Sequence, residues 1–376
     1  MRRRIALGMS VTALISVALF SGPAVSQSEP AAHMPRGTAT DVSNKLILAT
    51  AQKTASKSPS DQQIKVVSIN GKFNVAVGVI HRARSQGQDN NASGGLTHTQ
   101  VTEVYHIISG TGTLVTGGTM QNAKTLAPDN EIVKVLAGPG DTGTIQGGVS
   151  TKVGPGDVII LPPNTPHTFS QVDTDQIIYL AVRVDTHHVL PAGYPDHIKA
   201  EHAKIAANVP EGVATVVENA EIEANSNNKA IDTQLRVVSI NNEYNVAVGI
   251  LHRPHVDQSP GGALEHETAT EVYHIISGTG TYVTGGKIDK GAESPPDSDL
   301  VKLLDGPSVQ GGVVLGGVSR KVGPGDVIVI PPNTPHWFSK IDSDQVKYLV
   351  IRIDPRKLLP AGYVAPPAET AGATKP

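Results

Sequence analysis

The chain is predicted to be all-β, folded as two tandem jelly-roll β-barrels related by internal duplication, with short helical arms. Three observations predict this. The stretch Gly156-Asp-Val-Ile-Ile-Leu-Pro-Pro-Asn-Thr-Pro-His167 returns as Gly325-Asp-Val-Ile-Val-Ile-Pro-Pro-Asn-Thr-Pro-His336, and a repeat of that length means duplication. Short Val/Ile-rich runs alternate with turn residues, among them 38 glycines and 27 prolines. No alternating helical pattern points to a parallel sheet. Closed antiparallel barrels, which leave no exposed edge, are then the economical solution.

Residues 1–26 read as a secretory signal. Met1-Arg-Arg-Arg4 is a charged start, Ile5 to Phe20 is apolar, and Ala24-Val-Ser26 suits cleavage before Gln27. The apolar run is short for a membrane span and a polar segment follows it. The protein is therefore expected to be exported, periplasmic or extracellular, with no membrane attachment after signal removal. Residues 27–62 form an arm, in which Asp41-Val-Ser-Asn-Lys-Leu-Ile-Leu-Ala-Thr-Ala predicts a short helix with Asp41 near its cap.

Barrel 1 is expected over 63–194. It opens with two strands around Asn70-Gly71, a hairpin signal. A polar, Gly-rich loop (Ser85 to Gly95) follows, then a strand from Val101 to Ile108 that stops at Ser109-Gly-Thr-Gly112. The excursion from Gly117 to Gly148 holds one further strand candidate, Glu131 to Leu136. The repeated motif and a last strand, Gln176 to Val184, close the barrel. Residues 195–233 connect the halves, with a helix after Asp196. Gly212 to Ala224 reads as the counterpart of the first arm at an offset of 171, which sets Val213 against Val42. Either arm can pack on the neighbouring barrel or on a second subunit of a homo-oligomer. Barrel 2 spans 234–363, and the Ala/Pro/Thr segment 364–376 is a tail.

Composition excludes some functions. Net charge is −3, from 31 basic and 34 acidic residues, with no basic run after the extreme N-terminus; this argues against nucleic acid. Aromatics at 3% offer no stacking platform for single strands. With no cysteine, there is no disulfide and any metal must be held by histidine and carboxylate.

Several of the 14 histidines recur at equivalent places: His81/His252, His98/His266, His106/His274 and His167/His336. His98 with Glu103 and His167, and His266 with Glu271 and His336, each make two neutral imidazoles and a carboxylate. That face suits a divalent first-row metal with positions left open. The bland alternative is polar residues at a barrel mouth, hydrogen-bonded to backbone. His106 and His274 lie three residues after the glutamates, on the opposite strand face, and read as structural. His81 and His252 share a side with alternating apolar residues such as Val75, Val77 and Val79. They read either as a further ligand or support behind the ligands, or, equally, as core. Arg183 and Arg352 sit amid apolar residues, either meeting an anionic substrate or pairing at the rim with Asp185 and Asp354.

At these residues the chain resembles the cupin superfamily, specifically the two-domain bicupins. His98, Glu103 and Gly110 fit the family's first motif, as do His266, Glu271 and Gly278. Gly156, Pro162 and His167 fit the second, as do Gly325, Pro331 and His336. The resemblance covers most of residues 63 to 363. It departs where Leu96 and Leu264 replace the usual first histidine, Asn164 and Asn333 replace a glycine, and Gln171 and Lys340 replace the closing Asn. Three of four usual ligands remain, and His81 and His252 would complete the sets if they reached inward.

The resemblance implies a bound Fe, Mn, Zn or Ni ion and a small-molecule substrate. The leading expectation is a secreted, metal-dependent oxidoreductase of dioxygenase type. The alternatives are non-catalytic binding of a sugar or organic acid, and, by family analogy alone, an oxalate-decarboxylase-like or isomerase activity. Ser85 to Gly95 and His255 to Gly262 are lid candidates. Thr168 against Trp337, and Leu96-Thr-His-Thr-Gln100 against Leu264-Glu-His-Glu-Thr268, predict unequal pockets, the second more acidic.

Overall fold

The computed structural model describes residues 37–53, 59–87, 91–196, 212–226 and 231–366. The predicted signal, most of the predicted connector helix and residues 367–376 lie outside that set. Two eleven-stranded antiparallel sheets each close around an apolar interior, giving two jelly-roll barrels in tandem. The Asn70-Gly71 hairpin forms between strands Ser60–Ile69 and Phe73–Ser85, with both turn residues left-handed (φ 50° and 68°). That is the conformation a two-residue turn needs to match strand twist. Asn241 and Asn242 do the same in barrel 2 (φ 48° and 58°).

Central strands such as Thr102–Ser109 and Val158–Leu161 are buried on both faces, which explains their nearly continuous apolar runs. Along Phe73–Ser85, Val75, Val77 and Val79 enter a cluster shared with Val246, Val248 and Ile250 of the other barrel. Ile80 faces barrel 1's own interior, with Tyr105, Leu114, Phe169 and Tyr179. Each such aliphatic side chain contributes about 1.5–3 kcal/mol on full burial. The largest apolar cluster thus lies between the barrels and holds them together.

The arms cross over. Strand Thr40–Val42 pairs with Val327–Val329 of barrel 2, and strand Thr215–Val217 pairs with Val158–Ile160 of barrel 1. Each barrel's sheet is completed by the arm that precedes the other, so of the two predicted packings the arms take the neighbouring barrel. The repeated Gly-Asp pair makes the latch. Asp157 accepts from the backbone N–H of Asn219 (2.7 Å) and of Gly154 (2.7 Å). Asp326 accepts from Asn44 (2.8 Å) and Gly323 (2.8 Å) in the same way. A Cβ on Gly156 would lie 2.2 Å from Asn219 Oδ1, and one on Gly325 2.3 Å from Asn44 Cγ, so the close approach requires glycine.

Four expectations are corrected. Asp41 is a strand residue paired to Arg320; the helix runs Asn44–Lys53, and Ser43 Oγ accepts from Leu46 N–H at its start (3.3 Å). The counterpart of Val42 is Val217, not the exposed Val213, because Thr40-Asp-Val-Ser-Asn44 matches Thr215-Val-Val-Glu-Asn219. The Ser85 to Gly95 loop ends in a strand, Asn91–Leu96, which pairs with Asp141–Gln146. Ile132–Leu136 is a π-helical turn, as is Leu300–Leu304. An apolar run of that length suits either state until tertiary packing decides.

Candidate metal centre and cavity

Glu103 sits on strand Thr102–Ser109, which pairs with both Val158–Leu161 and His167–Asp185. Period-two alternation turns Glu103 and Tyr105 into the barrel and His106 out of it. His167 opens its strand directly after the Pro-Pro-Asn turn. Asn164 N–H donates to the backbone carbonyl of His98 (2.7 Å), so the turn that presents one histidine also holds the other. Asn333 does this for His266 (2.7 Å). Both asparagines are left-handed (φ 60° and 56°), a conformation Asn tolerates. Replacing the family's glycine therefore preserves the turn.

One ligand atom each from His98, Glu103 and His167 lies within 4.8 Å of the others, and the same holds for His266, Glu271 and His336. All six side chains are buried. In barrel 1, Glu103 Oε2 is 3.7 Å from His98 Nε2 and 3.5 Å from His167 Nε2. In barrel 2 the corresponding separations are 3.0 and 3.6 Å. His167 Nδ1 donates to the carbonyl of Thr165 (2.9 Å) and His336 Nδ1 to that of Thr334 (3.0 Å). That fixes the tautomer and leaves each Nε2 lone pair facing the carboxylate, which is the donor set a first-row divalent ion requires. The residues present fit a metal.

Arg183 and Arg352 are fully buried and lie behind the carboxylates. Arg183 donates to Glu103 Oε1 (2.8 Å), to Gln63 Oε1 (2.9 Å) and to Asp61. Arg352 donates to Glu271 Oε1 (3.1 Å), Gln234 Oε1 (2.8 Å) and Asp232. The rim pairing with Asp185 and Asp354 is overturned. Those carboxylates accept instead from backbone N–H groups of the following turn, such as Leu190 (2.8 Å) and Leu359 (2.8 Å). His81 and His252 are not among the triads. His81 shares the Val75–Val79 face as expected, but that face looks toward the other barrel, and its Nε2 donates to Gln176 Oε1 (3.0 Å). His252 is only partly buried. His106 and His274 meet across the barrel interface, Nδ1 to Nδ1 at 2.6 Å.

Four site residues escaped sequence reasoning. Tyr105 OH donates to Glu103 Oε2 (2.6 Å) and lies 3.3 Å from His167 Nε2; Tyr273 repeats this (2.7 and 3.4 Å). Their position two residues after the glutamates was the available signal. Arg82, on the Ile80 face, donates through Nε to Tyr179 OH (3.0 Å) and stacks over Phe169. Asp305 is buried in barrel 2, 2.7 Å from Arg352 Nε, where barrel 1 has Ala137. Comparing the copies at that position would have found it. Trp337 points out of the barrel and donates to Ser259 Oγ (3.0 Å) and the carbonyl of Gly261 (2.8 Å), tying down one lid candidate.

Burial sets the charge states in barrel 1. It pushes His98 down to about 4 and lowers His167, against the pull of Glu103, so both imidazoles stay neutral. Burial pushes Glu103 up, but His98, Arg183 and His167 outweigh it and hold the carboxyl at about 2. In barrel 2, burial and His266 bring His336 down to about 4. Burial also works against charge on His266, yet Glu271 and Asp305 outweigh it and raise the group to about 9. The third carboxylate favours positive charge at that spot, whichever species carries it.

Barrel 1's triad opens on a cavity of about 430 Å³. His98, His167, Tyr105, Tyr179 and Arg82 stand in its polar wall together with the carboxylates Asp61 and Glu131; Ile80, Leu96 and the π-helical Ile132 and Leu136 are in its apolar wall. Leu96, which stands where the family's first ligand would, is therefore part of the pocket. In barrel 2, Tyr282 replaces Leu114 and packs against Tyr273, Phe338 and His336.

The fold is two jelly-roll barrels in tandem. No family model matches the chain, and no curated protein matches it. Among solved structures, this chain is similar to a salicylate 1,2-dioxygenase from Pseudaminobacter salicylatoxidans, at 11% identity over 89% of each chain (TM-score 0.46). It is similar to an 11S globulin from Wrightia tinctoria at 8% identity, over 78% of this chain and 83% of that one (TM-score 0.42). A cupin 2 conserved barrel domain protein from Leptotrichia buccalis matches at 11% identity, over 86% of this chain and 100% of that one (TM-score 0.39).

Proposed function

We propose that the protein is a metal-dependent bicupin enzyme, an oxidoreductase of dioxygenase type, that acts on a small organic molecule in the barrel 1 cavity. The observation that carries this reading is a two-histidine, one-carboxylate face opening directly on a cavity of small-molecule size. A divalent first-row ion on His98, Glu103 and His167 would supply Lewis acidity and, if iron or manganese, a route for O2 chemistry. Arg183 holds Glu103 ionised and correctly turned. Tyr105 donates its one hydroxyl proton to the same carboxylate and stands beside the open face, so its oxygen is placed to accept from a hydroxyl of the substrate. The apolar wall of Ile80, Leu96, Ile132 and Leu136 keeps water from the reacting face. Arg82 lines the cavity, forms no ion pair among the described residues, and is placed to contact an anionic group of the substrate. We further propose export, on the charged-apolar-small pattern of residues 1–26; a mature N-terminus at Gln27 in secreted material tests it.

The decisive experiment is metal analysis joined to oxygen uptake with a panel of small carboxylates and sugars. The expected result is bound metal and substrate-dependent oxygen consumption, abolished in His167→Ala and weakened in KM by Arg82→Leu. Saturable binding with no turnover would establish the non-catalytic alternative. Protein that takes up no metal would overturn the enzyme reading.

A further inference from the structure

We infer that the two triads are unequal metal centres: barrel 2's holds its ion tightly, while barrel 1's, beneath the cavity, binds more weakly and exchanges. The inference rests on reading the triads as metal sites. Three differences carry it, all at positions related by an offset of 168.

The first is charge. Around barrel 1's triad stand Glu103 and Asp61 with Arg183; around barrel 2's stand Glu271, Asp232 and Asp305 with Arg352. Asp305 adds one buried anion, 3.9 Å from His266 Nδ1. Ala137 adds none. An extra anion in a low-dielectric pocket favours a dication strongly.

The second is support behind the ligand. Ser308 donates its hydroxyl proton to the carbonyl of Gly306 (2.9 Å), so its Oγ is left to accept from His266 Nδ1–H at 3.1 Å. That locks the tautomer whose Nε2 faces Glu271. The counterpart in barrel 1 is Gly140, where a Cβ would lie 1.8 Å from the carbonyl oxygen of Thr97, so no side chain fits. His98 Nδ1 is accordingly buried with no hydrogen-bond partner. Such outer contacts change metal affinity about 10- to 100-fold.

The third is access. The cavity lies over barrel 1's triad, whereas Tyr282 packs against His336 in barrel 2. A ring packed against a ligand histidine narrows the approach to an ion, and a narrower approach suits a retained one.

The test uses the full chain with Zn(II) as probe. Stripped protein is titrated against zinc in a chelator buffer, and bound zinc per chain is read directly. Two classes are expected, about 10- to 100-fold apart. His336→Ala should delete the tight class and His167→Ala the weak one. Asp305→Asn, which keeps the side chain's shape, should weaken the tight class and spare the weak one. Ser308→Ala repeats the test should the asparagine variant not fold. One class of affinity, a tight class lost with His167→Ala, or a tight class indifferent to both outer substitutions overturns the inference. Equal uptake at both triads defeats this inference alone. No uptake at either defeats the metal reading of the function with it.

Discussion

The two barrels repeat one backbone and one ligand set, yet they differ in what surrounds it. Barrel 1 leaves a cavity against its triad and His98 Nδ1 without a hydrogen-bond partner. Barrel 2 adds Asp305, Ser308 and Tyr282 at the matching places. Duplication preserved what the fold needs: the Gly-Asp latch, the Pro-Pro-Asn turn and the buried arginine behind the glutamate. The neighbours of the ligands diverged, because packing tolerates change there while ligand chemistry responds to it.

The largest expected contrast between the barrels is in their buried arginines. Arg183→Leu strands Glu103 and Asp61, and Arg352→Leu strands Glu271, Asp232 and Asp305. Uncompensated buried charge costs about 3–5 kcal/mol. In urea unfolding both variants should fall by about that much, with Arg352→Leu the worse. Equal losses would mean that Asp305 carries no charge in the folded protein.

The interface histidines come next. At 2.6 Å one Nδ1 must donate and the other accept, so the accepting ring must be neutral, and burial disfavours charge on either. Burial lowers His106 to about 4, and burial with His106 drives His274 well below the ordinary histidine value. The unfolded chain then binds more protons than the folded one between the ordinary histidine value of about 6.5 and about 4. Stability from this pair is complete above that window and is lost as pH falls through it, by about 3 kcal/mol for His106 alone. His106→Leu with His274→Leu should flatten that part of the stability profile; an unchanged slope would place the acid sensitivity elsewhere.

Smaller effects test the arms. Asp157→Ala frees the N–H groups of Asn219 and Gly154, and Asp326→Ala those of Asn44 and Gly323. Each should cost about 1–2 kcal/mol, as lost helix caps do. Amide exchange should rise in the arm the substitution releases, and protection that persists in both arms would deny the latch.

The smallest contrast is a gain. Thr102 Oγ1 bonds Tyr244 OH across the interface (2.7 Å), but Phe73 stands at Tyr244's counterpart and leaves Thr270 Oγ1 buried without a partner. Phe73→Tyr should add about 1 kcal/mol. A thermal midpoint that does not rise would show that the two interface contacts are not equivalent.

The sequence by itself determined the duplication, the all-β class, most strands, and the residues His98, Glu103, His167 and their twins. These follow from local rules: alternation along a strand, turn residues at its ends, and polar groups placed where packing alone would want apolar ones. It also separated His106 from Glu103, because strand parity is a local property. Only the tertiary structure decided what each face meets. The parity of His81 was legible, but not that its face abuts another barrel. Arg183 was legible as a buried cation, but its partners Asp61 and Gln63 lie over a hundred residues away. Ile132–Leu136 became a π-helical wall of the cavity because a short apolar run has no conformation of its own until it packs. Asp305 and Ala137 occupy the same place in two copies of one fold, and their meaning appeared only when the ligands stood beside them.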